Sequence, residues 1–376
     1  MPPMPGEASL QEAIHNRLKS GDLLFRDFVE LVLYHPELGY YMRGESPVGK
    51  AADFVTSPSL SPVFSYSFGK FVREFLSRVG GAVSQIVDIG AGDGALINSL
   101  RDVGRWPLAA GRAPESSPAN GQRPTANVSF IGLERGDSLA GLPQADARLV
   151  LSNELFDAQP FARLVRRGAE LRELTVVERD GELDWGERAA DPRYVDYFGE
   201  RGIELDEGQF ADVSLDWTSL YDEICRFVTR GLIVTFDYGY PEETLFRSRL
   251  RRYGTAAAYS RQRVSRDLLA NPGKQDLTAH INFTDLIRAG ERAGFTTLFF
   301  DRQAKLLLAL GVTEHELFKP IDQVSADSLQ AGVDLLERRD EARRLVLPDG
   351  IGEDIRVLVQ GRGMPEDGWM FQRKLF

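Results

Sequence analysis

The chain has 376 residues, of which 43% are hydrophobic and 27% charged, with a formal net charge of −11. That length suits one large domain with additions, or two domains. The acidic balance argues against a general nucleic-acid binder and favours a cationic partner. The single cysteine, Cys225, excludes an internal disulfide, and no apolar run reaches membrane-spanning length. Residues 1 to 7, Met1-Pro2-Pro3-Met4-Pro5-Gly6-Glu7, carry neither a signal-peptide core nor an Arg-rich transit pattern. The expectation is a protein of a reducing compartment, cytoplasmic and away from the membrane.

Residues 8 to 35 have helical spacing through Leu18, Leu23, Phe28, Leu31 and Val32, with a break at Ser20-Gly21-Asp22. Tyr34 to Tyr41 holds too many turn formers for a helix. Asp53-Phe54-Val55-Thr56-Ser57-Pro58 is a polar loop before an aromatic helix, Val63 to Leu76. Thr56 or Ser57 either caps that helix or belongs to a lid over a cofactor.

The stretch that organises the chain comes next. Gln85-Ile86-Val87 reads as a buried strand, and Ala95 to Leu100 continues as a helix. Between them, Asp88-Ile89-Gly90-Ala91-Gly92-Asp93-Gly94 is a turn whose glycines let backbone N–H groups approach a ligand. Gly90, Gly92 and Ala95 satisfy the dinucleotide fingerprint, but the acid it needs about 20 residues on has only Glu115, in a Pro/Gly/Ser-rich loop. Asp88 two residues before three alternating glycines, Gly90, Gly92 and Gly94, is the pattern of S-adenosylmethionine (SAM) methyltransferases. A turn that binds nothing is the bland alternative.

Val128 to Leu133 reads as a strand ending at Glu134, where a carboxylate would accept two hydrogen bonds from a ribose diol; a plain surface acid is the alternative. Too few residues separate Glu134 from the strand Arg148 to Ser152 for a full helix, strand and helix. Either one βα unit is shortened or 128–134 is the third strand. Asn153, Glu154 and Asp157 follow the strand at 148–152, just where open α/β sheets bind ligands. Residues 162 to 185 alternate as an inserted β segment, with Asp180-Gly181 as a hairpin turn. A helix spans 217 to 229, and a buried strand, 231 to 240, carries Asp237. Pro272 to Phe283 is a loop with Asp276 and His280, the histidine near Asp276 and Asp285; a helix runs from Thr284 to Ala293. Thr297 to Phe300 and Leu306 to Leu310 make a candidate closing strand pair. Ser325 to Arg344 is amphipathic, and Arg356 to Val359 reads as a strand.

Taken together, these segments resemble the MidA family of class I SAM-dependent methyltransferases, whose mitochondrial members are complex I assembly factors credited with protein arginine methylation. The likeness runs from about residue 25 to about 360. It rests on Tyr34-His35-Pro36 with Gly39-Tyr40-Tyr41, Asp53 to Pro58, the glycine motif, Asn153-Glu154-Leu155-Phe156-Asp157-Ala158 with Pro160, Asp237-Tyr238-Gly239, and Pro272-Gly273 with Asp276-Leu277-Thr278-Ala279-His280. Ala91, Ser59, Gln262 and Asn282 stand where the family has Pro, Glu, His and Asp.

The resemblance implies an α/β, Rossmann-like class I methyltransferase fold with a seven-stranded, mostly parallel sheet. Residues 1–79 form an N-terminal helical and lid segment. Residues 80–310 form the methyltransferase domain, with an insertion at about 160–215, and 311–376 form a C-terminal extension. It implies SAM as cofactor and no metal. Asp53, Thr56, Ser57, Asp88, Gly90, Gly92, Gly94, Glu134 and Asn153 would face the cofactor. Glu154, Asp157, Asp276 and His280 would bind a protein arginine acceptor or take its proton. A small-molecule methyltransferase and a non-catalytic assembly factor are the alternatives, and nothing in the sequence fixes an oligomeric state.

Overall fold

The structure, a computed structural model, describes residues 9–42, 62–103, 127–260, 263–320, 329–348 and 350–373. Asp53, Thr56 and Ser57, the candidate lid, lie outside the described residues, as do Ser59, Gln262 and the loop at 111–121.

Helix α1 (Leu10–Leu18), strand β1 (Leu23–Leu24) and helix α2 (Phe25–Tyr34) come first. Helix α3 (Pro62–Val79), β2 (Ser84–Ile89), helix α4 (Ala95–Val103), β3 (Val128–Leu133) and β4 (Ala147–Asn153) follow. Then come β5 (Ala162–Arg167), β6 (Glu170–Arg179), β7 (Glu182–Ala189), β8 (Phe210–Val213) and β9 (Gly231–Tyr240). The remaining strands are β10 (Ala257–Ser260), β11 (Arg263–Ser265), β12 (Asp276–Thr278), β13 (Ile281–Asn282), β14 (Thr296–Arg302) and β15 (Ile355–Arg362).

These elements fall into two compact units that interleave along the chain. One takes Met1–Val55, Glu154–Tyr221 and Asp237–Arg288; the other takes Thr56–Asn153, Asp222–Phe236 and Ala289–Phe376. The second unit carries the main sheet, in the order β14-β15-β9-β4-β2-β3. The two-residue β13 pairs in parallel with the last residues of β9 and completes seven strands. β3, β2, β4 and β9 run parallel to one another, and β14 is antiparallel to β15. Strands flanked on both sides bury both faces, which is why β2 and β4 read as apolar runs without alternation. Helix α3 adds Phe64 and Phe68, each 5.4 Å edge-on from Phe236.

Two expectations are decided here. β3 pairs directly with β2, and only a short 3-10 turn, Leu139–Gly141, stands between β3 and β4. So β3 is the strand next to the motif strand, and one βα unit is shortened. The closing pair is different from the one expected. Thr296–Arg302 pairs with Ile355–Arg362, while Leu306 to Leu310 lies in and just after a helix, Gln303–Ala309. An unbroken apolar run does not distinguish helix from strand, and here its length fits a buried helix segment. The strand at 355–362 therefore belongs to the main sheet.

The first unit holds a sheet ordered β1-β6-β5-β8, with β7 on the other edge of β6. Asp180 and Gly181 join β6 to β7 with φ of 53° and 82°, the left-handed pair that a two-residue hairpin needs. Phe25 at the start of α2 packs against Phe161 and Trp185, at 5.6 and 4.9 Å between ring centres. A small sheet, β11-β10-β12, brings Asp276 into this unit.

Candidate active site

In the second unit, β2 delivers Asp88 and then a tight turn. The Gly90 and Ala91 N–H groups donate to Leu133 O at 2.8 and 3.1 Å, which ties the turn to the end of β3. Asp93 Oδ1 accepts from Ala95 N–H at 2.9 Å and starts α4. Gly92 has φ of 58°, and a Cβ added there would meet nothing within 4 Å. The turn thus leaves open space over a backbone that only glycine adopts readily, the shape required for close approach of a ligand. Asp88 is 2% exposed. Burial, with the charge of Glu134 adding to it, pushes its carboxyl up to about 8. Glu134 follows β3 directly. Desolvation raises its carboxyl also, and the Gly92 amide pulls the other way. A buried acid beneath a glycine turn and a second acid beside that turn fit a cofactor with a cationic amino-acid end and a ribose. Asn153 ends β4 opposite Phe236.

The first unit assembles a different set. Directly after β4, Glu154 holds φ of 52°, a left-handed backbone that is unusual for a residue with a long side chain. The turn it begins is clamped by Asp237, which is fully buried. Asp237 Oδ2 accepts from Phe156 N–H and Oδ1 from Tyr238 N–H, both at 2.8 Å, and the Asp157 amide bonds it as well. Trp217 Nε1 donates to Phe156 O at 2.6 Å and fixes the same turn from its other side. Ala279 N–H donates to Asp157 O at 3.2 Å and so ties the β12 segment to this turn.

Asp157, Asp237 and Asp276 thereby lie together, at 5%, 0% and 2% exposure. Burial, then the charges of Asp237 and Asp276, raise the Asp157 carboxyl well above its usual range. Burial likewise pushes Asp237 up to about 7, against the pull of its backbone donors and with the push of Glu154. A hydrogen bond between the two carboxyl groups adds to the rise at Asp157. Tyr41 joins the set: burial and Asp276 hold its hydroxyl protonated. Tyr34 stacks on Tyr41 at 5.5 Å and donates to Ala158 O at 2.9 Å.

His280 lies between Tyr238 and Tyr240, at 6.3 and 5.5 Å between ring centres. Asp285, which the sequence places near it, is committed to another network. It accepts from Tyr197 Oη at 2.6 Å and pairs with Arg201, also at 2.6 Å. Asn282 donates to the same Tyr197 hydroxyl at 2.8 Å. The family's aspartate at this position would add a second carboxylate to that buried network, and the amide avoids the repulsion. Two participants were not among the candidates read from the sequence: Asp237 and Tyr41. Asp237 had a readable signal, an acid at the end of an apolar strand, as Asn153 and Glu154 have on β4.

Residues 115–300 match a family described as "Putative S-adenosyl-L-methionine-dependent methyltransferase". Over 346 residues the chain is 25% identical to the mitochondrial protein arginine methyltransferase NDUFAF7 of Xenopus tropicalis, covering 83% of this chain and 75% of that one. The Caenorhabditis elegans homologue is 23% identical over 372 residues, 87% and 83% of the two chains. A crystal structure of a COG1565 superfamily member from Burkholderia thailandensis, bound to S-adenosyl-homocysteine, superimposes with a TM-score of 0.77 at 26% identity, over 99% and 98% of the chains.

The chain is a SAM-dependent methyltransferase, similar to the MidA-like proteins of that class. Its α/β fold is the Rossmann-like methyltransferase fold and its cofactor is SAM. The expectation of a cytoplasmic protein does not stand, because the named relatives are mitochondrial proteins. Among the described residues no helix is long and apolar enough to cross a membrane, and no group of acids, histidines and cysteines could hold a metal ion.

Proposed function

We propose that this MidA-like enzyme methylates an arginine side chain of a protein, and that the buried carboxylates of the first unit bind the guanidinium. The observation that carries this is the set Asp157, Asp237 and Asp276, desolvated together, with Glu154 next in the chain to β4. Like charges crowded in a dry site call for a cation. A guanidinium offers a planar fork of donors that matches a carboxylate.

When bound, SAM supplies a methyl group already activated on a sulfonium, so the chain's work is positioning and proton removal. Gly90, Gly92 and Gly94 take the cofactor's amino-acid end, Asp88 its ammonium, Glu134 its ribose, and Asn153 faces it. Glu154 and Asp157 orient the guanidinium. A guanidinium that gains a methyl group keeps its single positive charge and releases one proton. Asp157, Asp276 or His280 accepts that proton, and burial gives Asp157 the raised basicity this needs. The names of the relatives, protein arginine methyltransferases, agree with a protein acceptor.

The test is transfer of label from methyl-labelled SAM into cell extract, followed by mass spectrometry of the labelled species. A labelled protein with methylarginine is expected. Label in a lipid or a metabolite sinks the arginine reading and leaves the methyltransferase intact.

A further inference from the structure

The first unit contains a second acidic site that the acceptor reading does not use. A cavity of about 240 Å³ is lined by Arg26, Asp27, Glu173, Asp191, Arg193 and Asp216, among others. Its guanidinium groups are already paired. Arg26 bonds Asp216 and, at 3.2 Å, Asp27. Arg193 bonds Asp191 at 2.9 Å. Glu173 has the loosest pairing of the set, with Arg188. Its side chain is 3% exposed, and its Oε2 has no hydrogen-bond partner. Arg188 Nε stands 3.8 Å from that oxygen, beyond hydrogen-bond reach. The carboxylate receives a backbone N–H from Asp191, yet burial still raises it. Four carboxylates therefore meet three guanidinium groups, and Glu173 Oε2, buried, has room for a hydrogen-bond donor. An acidic surplus with a buried acceptor fits a cation that carries N–H donors, an ammonium or a guanidinium.

A second cavity, of about 340 Å³, shares Leu24 and Asp27 with the first and runs past Glu30 and Leu31 to Tyr34. Asp27 and Tyr34 lie on one face of α2, seven residues and about 10 Å apart at 1.5 Å of rise per residue. Tyr34 is the residue that bonds Ala158, beside Asp157. An extended peptide covers about 10 Å in roughly three residues. We propose that this groove docks the polypeptide substrate, and that the Glu173 cavity takes a second basic side chain, lysine or arginine, about three to five residues from the methylated arginine. The spacing rests on the arginine reading; the cation site itself does not.

The test uses the full-length protein with S-adenosyl-homocysteine and fluorescent glycine heptapeptides that carry one lysine, one arginine, or both. Fluorescence anisotropy reads binding. The lysine-only peptide should bind wild type and lose about tenfold in Glu173→Gln, a change of roughly 1.4 kcal/mol. It should weaken also in Asp27→Asn, a partly exposed position that guards against a folding artefact, and should not change in Asp157→Asn. The two-cation peptide should bind about tenfold tighter than the arginine-only peptide, and Glu173→Gln should erase that advantage. Equal binding of the lysine-only peptide to wild type, Glu173→Gln and Asp27→Asn overturns the proposal. So does free butylamine that binds as tightly as the lysine peptide, since the cavity would then serve a small amine. If the arginine-only peptide ignores Asp157→Asn while lysine binding still depends on Glu173, the acceptor assignment fails and the cation site stands.

Discussion

Strands β2 and β9 both contain a buried aspartate near their C-terminal ends, and the chain treats the two acids differently. Asp88 lies under a glycine turn, and burial with one neighbouring acid takes it up to about 8. Asp237 is held by backbone N–H groups of Phe156, Asp157 and Tyr238, which favour its charge, yet burial and Glu154 still push it up to about 7. In one unit Asp88 has one acidic neighbour, Glu134, and the glycine turn between them leaves open space at Gly92. In the other, Asp157, Asp237 and Asp276 are buried together. The same place on a parallel strand thus has two environments. A buried acid beside an open glycine turn suits the end of a cofactor. A crowded set suits a cation that arrives and a proton that must leave. Substitutions that convert one situation into the other break this contrast.

The largest effect is expected at Gly92. Its φ of 58° disfavours any side chain, and a β-branched one most. The open space beyond its Cα means that the first atom of valine fits, so the loss should be in ligand binding beyond any loss of fold. Gly92→Val should abolish SAM binding in calorimetry, and the wild type should prefer SAM to NAD. Wild-type SAM affinity in the variant would sink the cradle.

Next come Glu154→Gln and Asp157→Asn. Breaking a desolvated ion pair by removing one partner costs about 3–5 kcal/mol. At about 1.4 kcal/mol per factor of ten, turnover should fall by some two to three orders of magnitude. SAM affinity should be nearly unchanged. Loss of SAM binding in Glu154→Gln would move that residue to the cofactor side and leave Asp157 and Asp276 as the acceptor acids.

How far the sequence reached follows from where each signal sits. The glycine turn, its strand and its helix are contiguous, so Asp88 to Gly94 could be read directly. The hairpin at Asp180-Gly181 was legible for the same reason. The partner of β14 was not, because Ile355–Arg362 is over fifty residues away and pairing at that range leaves no local mark. Leu306 to Leu310 carries no period, so its helix could not be told from a strand. The carboxylate set joins residues from β4, β9 and β12. Its acids could be nominated one by one as strand-end residues. That Asp237 clamps the turn of Asp157, while Asp285 turns away to Tyr197 and Arg201, is fixed by tertiary packing alone.

The clamp predicts a stability effect. Asp237→Ala leaves the amides of Phe156 and Tyr238 buried without acceptors, at about 1–3 kcal/mol for each unsatisfied group. Denaturant unfolding should show a loss of a few kcal/mol. Asp237→Asn keeps an oxygen for one of the two donors and removes the crowded charge, so it should lose less stability than Asp237→Ala while turnover still falls. Equal losses in the two variants would mean that the carboxylate charge, not the backbone clamp, is what the turn requires.

The smallest effect sharpens the other half of the contrast, and it lies in pH. Asp88 is raised in the folded chain from 3.8 to about 8. The folded state therefore binds a proton that the unfolded state has released between about pH 4 and 8. Stability from this group is full below the unfolded value and is lost as pH rises through about 8. Binding of a cationic amino end has the opposite sign, because it requires the ionised carboxylate. A group with a value of about 8 is roughly one-tenth ionised at pH 7 and nine-tenths at pH 9. SAM affinity should then rise about tenfold over that interval in wild type, on top of any change from the amine of SAM itself. Asp88→Asn supplies the reference, since it keeps the shape and the ligand's own titration but cannot ionise. The ratio of wild-type to variant affinity, measured by calorimetry at each pH, should climb about tenfold between pH 7 and 9 and level off beyond. A flat ratio would show that Asp88 supports the turn without meeting the cofactor's charge, and Glu134 would then be the remaining acid of that unit to test.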